Sequence, residues 1–318
     1  MWKTNKRKDY KLSEAPIIID TSIDNLDNIV KPFQVEGDSV EASVRGRATR
    51  LGTVLDQILS AHNYPDVVAK TLGEVLVLTA TLGSMIKFDG TLTIQAKADG
   101  VIKLLVADYK APDQLRGYVD VDYEKLKTLG DDPDMEALFG DGYLAMTMDQ
   151  GADMERYQGI VALAGKTLSD CAIEYFANSE QTPTAIRLHV AKDAVTGHWR
   201  GGGIMVQHLA KGEVGSTRNL SDDTKDQWAR ASAFLKSVKE SELIDPSLDL
   251  DTLLYRLFNE DGVRVFEASG LKRGCRCSLE KLAAVLAQFS NEDRKDMAED
   301  GKIEMTCEFC NKAFQFEV

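Results

Sequence analysis

Four of the five cysteines lie near the C-terminus and fall into two close pairs. Cys275 and Cys277 form a C-x-C pair, and Cys307 and Cys310 form a C-x-x-C pair. Zn²⁺ binds four thiolates tetrahedrally at about 2.3 Å from each sulfur, and one close pair can supply two ligands from a single turn. The pattern therefore predicts a site for one Zn²⁺ per chain, with these four cysteines as ligands. Four unrelated buried thiols are the alternative, which the pairing disfavours.

The fifth cysteine, Cys171, lies in the segment LSDCAIEYFAN. Free cysteines rank among the most buried residues in proteins, and a buried thiol behaves as a small hydrophobic group. We therefore predict that Cys171 is a core residue and takes no part in the zinc site.

The sequence shows no catalytic constellation. The glycine run 201–203 is not followed by Gly-Lys-Ser/Thr, so it is no phosphate loop, and a tight turn or a close backbone approach is predicted instead. His189, His198 and His208 lack the spacing of a zinc protease, and no nucleophile elbow accompanies them. His62 is interpreted as a cap or a surface group. We predict no catalytic or cofactor-binding residues, and no enzyme.

Composition narrows the class of protein further. The chain has 318 residues and a net charge of −13, and the sequence offers no obvious basic face for nucleic acid. No apolar run is long enough for a signal peptide or a membrane span, and five cysteines in a chain of this length do not suggest a secreted disulfide scaffold. The expectation is a cytoplasmic protein that binds neither nucleic acid nor membrane.

Apolar patterning predicts an α+β fold, in which a sheet carries helices on one face. Helical spacing marks residues 51–62 and 67–86, and alternation around a turn at 98–100 marks a β-hairpin. The predicted divisions are a flexible N-terminal extension over 1–31, an α+β core domain over 32–215, a helical linker over 216–273 and a small zinc-binding domain over 274–318.

The predicted linker is charged and carries two apolar stripes at helical spacing. They are Trp228, Ala231, Leu235 and Val238, then Leu250, Leu253, Leu254, Leu257 and Phe258. Short helices of this kind gain their stability mainly from packing of the apolar face. The stripes therefore predict either a static helical subdomain or a cover over a surface that can be exposed.

Several sequence blocks resemble the heat-shock protein 33 family, the redox-regulated holdase chaperones. The blocks are KFDGTLTIQAKADG, ERYQGIVAL, YFANSEQTPT, GGGIMVQ and LLYRLFNEDGVRVFE, followed by the C-x-C pair and by TCEFC. The resemblance extends from about Pro32 to Phe316 and leaves the N-terminal residues uncovered.

The resemblance implies an ATP-independent holdase that is inactive when reduced and active when oxidised. Oxidation to disulfides Cys275–Cys277 and Cys307–Cys310 would release zinc, unfold the last domain and loosen the linker. The exposed apolar surface would then bind unfolding client proteins during oxidative and heat stress. The active form would be a homodimer that hands its clients to ATP-dependent foldase chaperones.

Two other classes remain open from the residues themselves. One is a zinc-ribbon module that binds a protein or nucleic-acid partner, with a purely structural zinc ion. The other is a metalloenzyme, although four cysteines close a coordination sphere in which a catalytic zinc ion keeps a position for water.

Overall fold

A computed structural model describes the residues 26–36, 44–86, 89–130, 132–151, 156–209 and 222–317. Most of the predicted N-terminal extension and the start of the predicted linker lie outside these ranges. Ile29 already begins the first strand, three residues before the predicted start of the core.

Within the described ranges, strands and helices alternate irregularly along the chain. The strands are β1 (Ile29–Val35), β2 (Val44–Leu51), β3 (Thr91–Ala98), β4 (Ile102–Lys110), β5 (Gln114–Val121), β6 (Gly142–Asp149), β7 (Tyr157–Ala162), β8 (Thr184–Lys192), β9 (Trp199–His208), β10 (Val263–Val265), β11 (Ser269–Gly270), β12 (Lys272–Arg273), β13 (Lys302–Thr306) and β14 (Ala313–Glu317). The helices are α1 (Thr53–Leu59), α2 (Asp66–Gly83), α3 (Tyr123–Leu126), α4 (Met135–Phe139), α5 (Leu168–Asn178), α6 (Asp222–Ser237), α7 (Glu240–Ile244), α8 (Leu250–Phe258), α9 (Leu279–Leu286) and α10 (Asn291–Asp296).

The strands form two large sheets and one hairpin. The strand order of the first sheet is β10-β1-β2-β9-β8, and β11 also pairs with β1. The order of the second sheet is β12-β5-β4-β3-β6-β7, and β13 and β14 form the hairpin. Neighbouring strands are antiparallel, except that β12 runs parallel to β5. This arrangement confirms the α+β class.

Helix α2 lies between the two sheets and packs against β2, β8 and β9 on one side and β3, β4 and β5 on the other. Nearly every residue from Val68 to Gly83 is buried. A helix that is apolar on most sides needs cover on most sides, which explains why a second sheet lies where the sequence predicted only one. Cys171 of α5 is fully buried in the same apolar layer, as predicted.

The outer face of the first sheet is covered by α6, α7 and α8, which we call the covering helices. Their buried residues include Ala231, Leu235 and Leu254, which belong to the two predicted stripes. These residues form a second apolar cluster with Phe33 of β1, whose ring stacks on that of Phe258 at 5.5 Å between centroids. The stripes therefore pack on the first sheet, an arrangement that fits both a static subdomain and a cover over a surface that can be exposed. No helix in the described part of the chain is both long and apolar enough to cross a membrane.

The first sheet also holds α7 through backbone contacts. Arg50 of β2 is fully buried, and its guanidinium donates hydrogen bonds to the carbonyl oxygens of Glu242, at 3.0 Å, and Leu243, at 3.1 Å. Gly202 of β9 lies so close that a Cβ atom there would be 2.0 Å from the Leu243 oxygen. Of the two predictions for the glycine run, the close approach is therefore confirmed, whereas the tight turn is wrong because the run is an extended strand.

The chain then crosses from the first sheet to the second through residues 263–274, which we call the strap. Its strands β10 and β11 pair with β1, and β12 pairs with β5 at the edge of the other sheet. Leu271, between these pairings, is buried in the layer between the sheets, and its N–H donates to the Asn28 oxygen at 2.7 Å. The strap therefore links the covering helices, both sheets and the cysteines that follow it.

Candidate metal centre

The four predicted ligands lie together at the end of the strap. The Sγ atom of Cys275 is 3.3 Å from that of Cys277 and 3.6 Å from that of Cys307, and the Sγ atoms of Cys277 and Cys310 are 3.5 Å apart. These distances are far longer than a disulfide bond of about 2.05 Å, so all four are thiols. Among the described residues, no other group of three or more cysteines, histidines or carboxylates lies close enough together to hold a metal ion.

The sulfur positions fit a tetrahedral zinc ion. Four sulfurs at about 2.3 Å from a common centre are about 3.8 Å apart along each edge of the tetrahedron. The observed separations of 3.3, 3.5 and 3.6 Å need only a small outward shift of the thiols. Four soft sulfur donors also favour zinc over magnesium or calcium.

The C-x-C pair is fixed by structure on both of its sides. Before it, the N–H of Gly274 donates to the Leu115 oxygen of β5 at 2.9 Å. After it, Ser278 caps the N-terminus of α9, its hydroxyl accepting a hydrogen bond from the Lys281 N–H at 3.3 Å. Cys275 and Cys277 therefore lie between a sheet edge and a helix start.

The C-x-x-C pair lies at the turn between β13 and β14. The Cys307 N–H donates to the Lys312 oxygen at 3.0 Å, and the Asn311 N–H donates back to the Cys307 oxygen at 2.8 Å. Asn311 has a φ of 57°, a left-handed conformation that asparagine tolerates better than most residues. The hairpin turn thus brings Cys307 and Cys310 to one side of the loop.

The segment that carries the four cysteines has a very small apolar core. Within residues 275–317, which we call the cysteine module, the buried apolar side chains are those of Leu286 and Ile303. Leu279 of α9 is 50% exposed, and Phe289 is 39% exposed. Helix α10 begins with a capping box between Ser290 and Asp293, but a cap of this kind contributes only about 1 kcal/mol. The module therefore depends on further interactions for its stability.

The thiols of the cluster differ in acidity. Burial raises the pKa of Cys275, but hydrogen bonds from the Cys277 backbone and from the neighbouring thiols outweigh it and lower this pKa to about 7. Burial and hydrogen bonds with the other three thiols raise the pKa of Cys277, and burial raises the pKa of Cys310. The cluster thus favours a thiolate at Cys275, stabilised by the protons of its neighbours.

The cysteine module rests on the second sheet. The ring of Phe309 lies against the Arg116 guanidinium, whose Cζ is 3.7 Å from the ring centroid, and it meets the Tyr118 ring edge-on at 4.8 Å. Asn311 of the same loop donates a hydrogen bond to the Ala61 oxygen after α1, at 2.9 Å. Nothing in the sequence pairs Arg116 with Phe309, so sequence reasoning missed this contact.

The four histidines do not form a site. His198 lies 2.9 Å from an oxygen of Asp56, and His189 lies 3.3 Å from Glu240 of α7. His208 is buried beside Trp228. His62 stacks on Tyr64 and is near the Phe309 backbone, so it lies between the core and the cysteine module rather than at a free surface. The interpretation of His62 as a cap or surface group is therefore wrong, because the residue lies at a contact between two parts of the molecule.

The comparisons with known proteins identify the class of protein. A family model described as "Hsp33 protein" matches residues 35–317 of the chain. The chain therefore belongs to the Hsp33 family of chaperones. This confirms the resemblance drawn from the sequence blocks.

Individual relatives agree with the family assignment. The 33 kDa chaperonin of Caulobacter vibrioides is 43% identical over 299 residues, which cover 92% of this chain and 95% of that one. The 33 kDa chaperonin of Shewanella loihica is 33% identical over 277 residues, covering 87% and 89%. The crystal structure of the 33 kDa chaperonin from Thermotoga maritima matches with a TM-score of 0.73 at 23% identity, over 91% of this chain and 95% of that one. At that identity, the likeness shows a shared fold.

Proposed function

We propose that this protein is a cytoplasmic, redox-regulated and ATP-independent holdase, which binds unfolding proteins once its four-cysteine zinc site has been oxidised. The observation that carries the proposal is the position of the cysteine cluster, directly after the strap that holds the covering helices in place. A chemical change at the cysteines can therefore reach a large apolar surface through a short stretch of chain.

The reduced state depends on the metal. Cys275, Cys277, Cys307 and Cys310 are the residues that would hold zinc, and when bound it would stabilise the module through its four bonds to sulfur. In zinc-finger peptides this contribution is about 10–16 kcal/mol. With Leu286 and Ile303 as its buried apolar side chains, the cysteine module has little else to compensate for the entropy of folding.

Oxidation removes the ligands. In each disulfide-forming reaction, two thiolates lose two electrons to one hydrogen peroxide molecule, whose O–O bond breaks. With two protons, its oxygens leave as two molecules of water, so two peroxide molecules oxidise the cluster. Cysteines that hold zinc do so as thiolates, and the thiolate is the form of cysteine that peroxide attacks.

The disulfides proposed are Cys275–Cys277 and Cys307–Cys310. The sulfur of Cys275 lies 3.3 Å from Cys277 and 3.6 Å from Cys307, so distance alone does not select a partner. Membership of the family and the short loops support pairing within each close pair. Because such loops are small, these bridges constrain the unfolded chain weakly and do not replace the lost metal.

Loss of the module would next loosen the strap. The pairing of β12 with β5 involves two residue pairs, and that of β11 with β1 involves two more. Such short strands are weak without neighbouring structure. The covering helices, which end at the strap, would then separate from the first sheet and expose the cluster around Phe33 and Leu254.

An apolar surface of this kind fits partly unfolded client proteins, which expose apolar side chains of their own. In the proposed cycle the active form is a homodimer, and clients are passed to ATP-dependent foldase chaperones. No nucleotide is needed for the binding step itself, because the energy comes from apolar burial.

The test is light scattering from a client that aggregates on mild heating. Reduced, zinc-loaded protein is compared with peroxide-treated protein, and zinc release is followed in the same samples with a metallochromic dye. We expect oxidation to release one zinc ion per chain and to convert a weak suppressor of aggregation into a strong one. Cys171→Ser is the matched control, because its thiol lies outside the cluster, and it should behave as the unchanged chain does.

Mass spectrometry of the oxidised protein tests the pairing of the cysteines. Retention of zinc after oxidation, with no gain in aggregation suppression, would instead favour a purely structural zinc site in a partner-binding module.

A further inference from the structure

The three residues enclosed by the two cysteine pairs all lie against one part of the second sheet. Arg276, between Cys275 and Cys277, has its Nη2 at 3.8 Å from an Asp108 oxygen and 3.5 Å from the Thr91 hydroxyl. Glu308 and Phe309, between the other two cysteines, contact Tyr118 and Arg116. We call the surface formed by Thr91, Asp108, Arg116 and Tyr118 the docking patch.

The docking patch lies on the outer face of the sheet. In β5, the buried residues Leu115 and Val119 face the layer between the sheets, and side chains alternate along a strand. Arg116 and Tyr118 therefore project from the opposite face, where their neighbours on β4 and β3 include Asp108 and Thr93.

The patch is held in place by its own contacts. The Asp108 side chain is 6% exposed, and one of its oxygens accepts hydrogen bonds from Nε and Nη2 of Arg116, at 2.8 and 2.6 Å. Its other oxygen accepts the Thr93 hydroxyl at 2.7 Å. Arg116 is thereby fixed with its planar face toward Phe309. An arginine restrained in this way loses little freedom when an aromatic ring stacks on it.

The contacts of Arg276, Glu308 and Phe309 with the docking patch depend on the four sulfurs staying close together. Arg276, Glu308 and Phe309 lie on two loops that are flanked by cysteines, and the grouping of the four sulfurs holds these two loops side by side. If the sulfurs separate or pair differently, these side chains lose their common orientation. The contact is therefore sensitive to the chemical state of the cysteines, although the docking patch itself contains none.

We propose that Arg276, Glu308 and Phe309 form a single docking element, and that the docking patch is its receptor, so that the cysteine module is clamped to the core while its four sulfurs stay grouped. The proposal rests on the zinc site of the proposed function but not on client binding. The docked state slows the loss of zinc from the cluster, and undocking lets the strap open.

The rate of zinc transfer from the reduced protein to an excess of a metallochromic chelator tests this proposal. Phe309→Ala and Arg116→Ala should each accelerate the transfer roughly tenfold, because each removes the contact between the guanidinium and the ring. Phe289→Ala is the matched control, since Phe289 is an exposed phenylalanine of the same module, and it should transfer zinc at the original rate.

The double variant gives the sharper result. Since both substitutions remove the contact between the ring and the guanidinium, Arg116→Ala with Phe309→Ala should accelerate the transfer by less than the product of the two single effects. Multiplied effects, or single variants within twofold of the unchanged chain, would overturn the proposal. If Phe309→Ala cannot retain zinc during preparation, the comparison of Arg116→Ala with the unchanged chain decides, because Arg116 lies outside the module.

The assay contains no client protein, so it is independent of chaperone activity. A chain that releases zinc as expected but fails to suppress aggregation would contradict the proposed function and leave the docking patch supported. Normal aggregation suppression, combined with unchanged zinc-transfer rates in the variants, would contradict the docking proposal and leave the proposed function supported.

Discussion

The environments of the individual cysteines separate two kinds of thiol in this chain. Cys171 is fully buried, and burial raises its pKa. Cys275 is half-buried, and hydrogen bonds from the Cys277 backbone and from the three neighbouring thiols lower its pKa to about 7. Since the thiolate is the reactive form, the same oxidant meets an inert cysteine in one place and a nucleophile in the other.

Replacement of Cys171 by serine tests this separation. We expect Cys171→Ser to keep its zinc content and its response to oxidation, but to lose about 1–2 kcal/mol of stability, because a hydroxyl is buried where the thiol was. Thermal unfolding by circular dichroism and zinc analysis measure the two effects. Cys277→Ser should show the opposite pattern, with loss of zinc, and a Cys171→Ser protein that loses zinc would contradict the assignment.

Residue spacing predicted that the four cysteines lie together, because the cysteines of each pair are neighbours in the chain. The docking patch could not be predicted in this way. Arg116 and Phe309 are distant in sequence, and an arginine in a strand or an aromatic residue between cysteines is unremarkable by itself. Only the fold brings them to 3.7 Å.

Among the elements, α7 shows how closely the covering helices fit the first sheet. Arg50 donates to its carbonyl oxygens, and Gly202 lies under the Leu243 oxygen. A short helix of this kind has little stability of its own. Its position is therefore set by the sheet, and a change in the sheet should displace it.

The variant Gly202→Ala tests the fit of α7. The new methyl group would lie 2.0 Å from the Leu243 oxygen, so α7 must move, at a cost of about 1–3 kcal/mol. We expect faster amide hydrogen exchange over residues 240–258 with unchanged zinc content. Gly270→Ala is the matched control, because a Cβ atom there meets no other atom within 4 Å. Equal exchange in the two variants would show that α7 does not depend on the close approach.

Periodicity predicted the long elements well, including α2 and both apolar stripes, because their apolar residues repeat over several turns. It missed α7 and the strands of the strap, which are too short to show a period. It also gave one sheet instead of two. Alternation along a strand shows that one face is buried, but it does not show which other strands share its sheet.

For the whole molecule, the layers differ in how they are stabilised. The layer between the two sheets is large and apolar, whereas the cysteine module has the buried side chains of Leu286 and Ile303. The covering helices should be intermediate in stability. They pack on the first sheet, but the chain continues from them into the strap. Loss of one stabilising contribution should therefore unfold the cysteine module and the covering helices before the two sheets.

Removal of zinc from the reduced protein with a chelator tests that order. We expect calorimetry to resolve two transitions, a lower one for the module with the covering helices and an upper one for the two sheets. Circular dichroism should show loss of helix in the lower transition, with the strand signal retained. One unchanged transition after complete zinc removal would contradict the expected dependence on the metal.

The arrangement of the second apolar cluster has a further consequence during synthesis. Strand β9, which ends at His208, completes the pairing of β2 on the first sheet, but the residues that cover this sheet begin only at α6. While the ribosome adds the last third of the chain, the growing polypeptide therefore presents the apolar surface that we propose for client binding. In each new molecule, the apolar face of the first sheet therefore stays exposed until the C-terminal part has been synthesised and has folded over it.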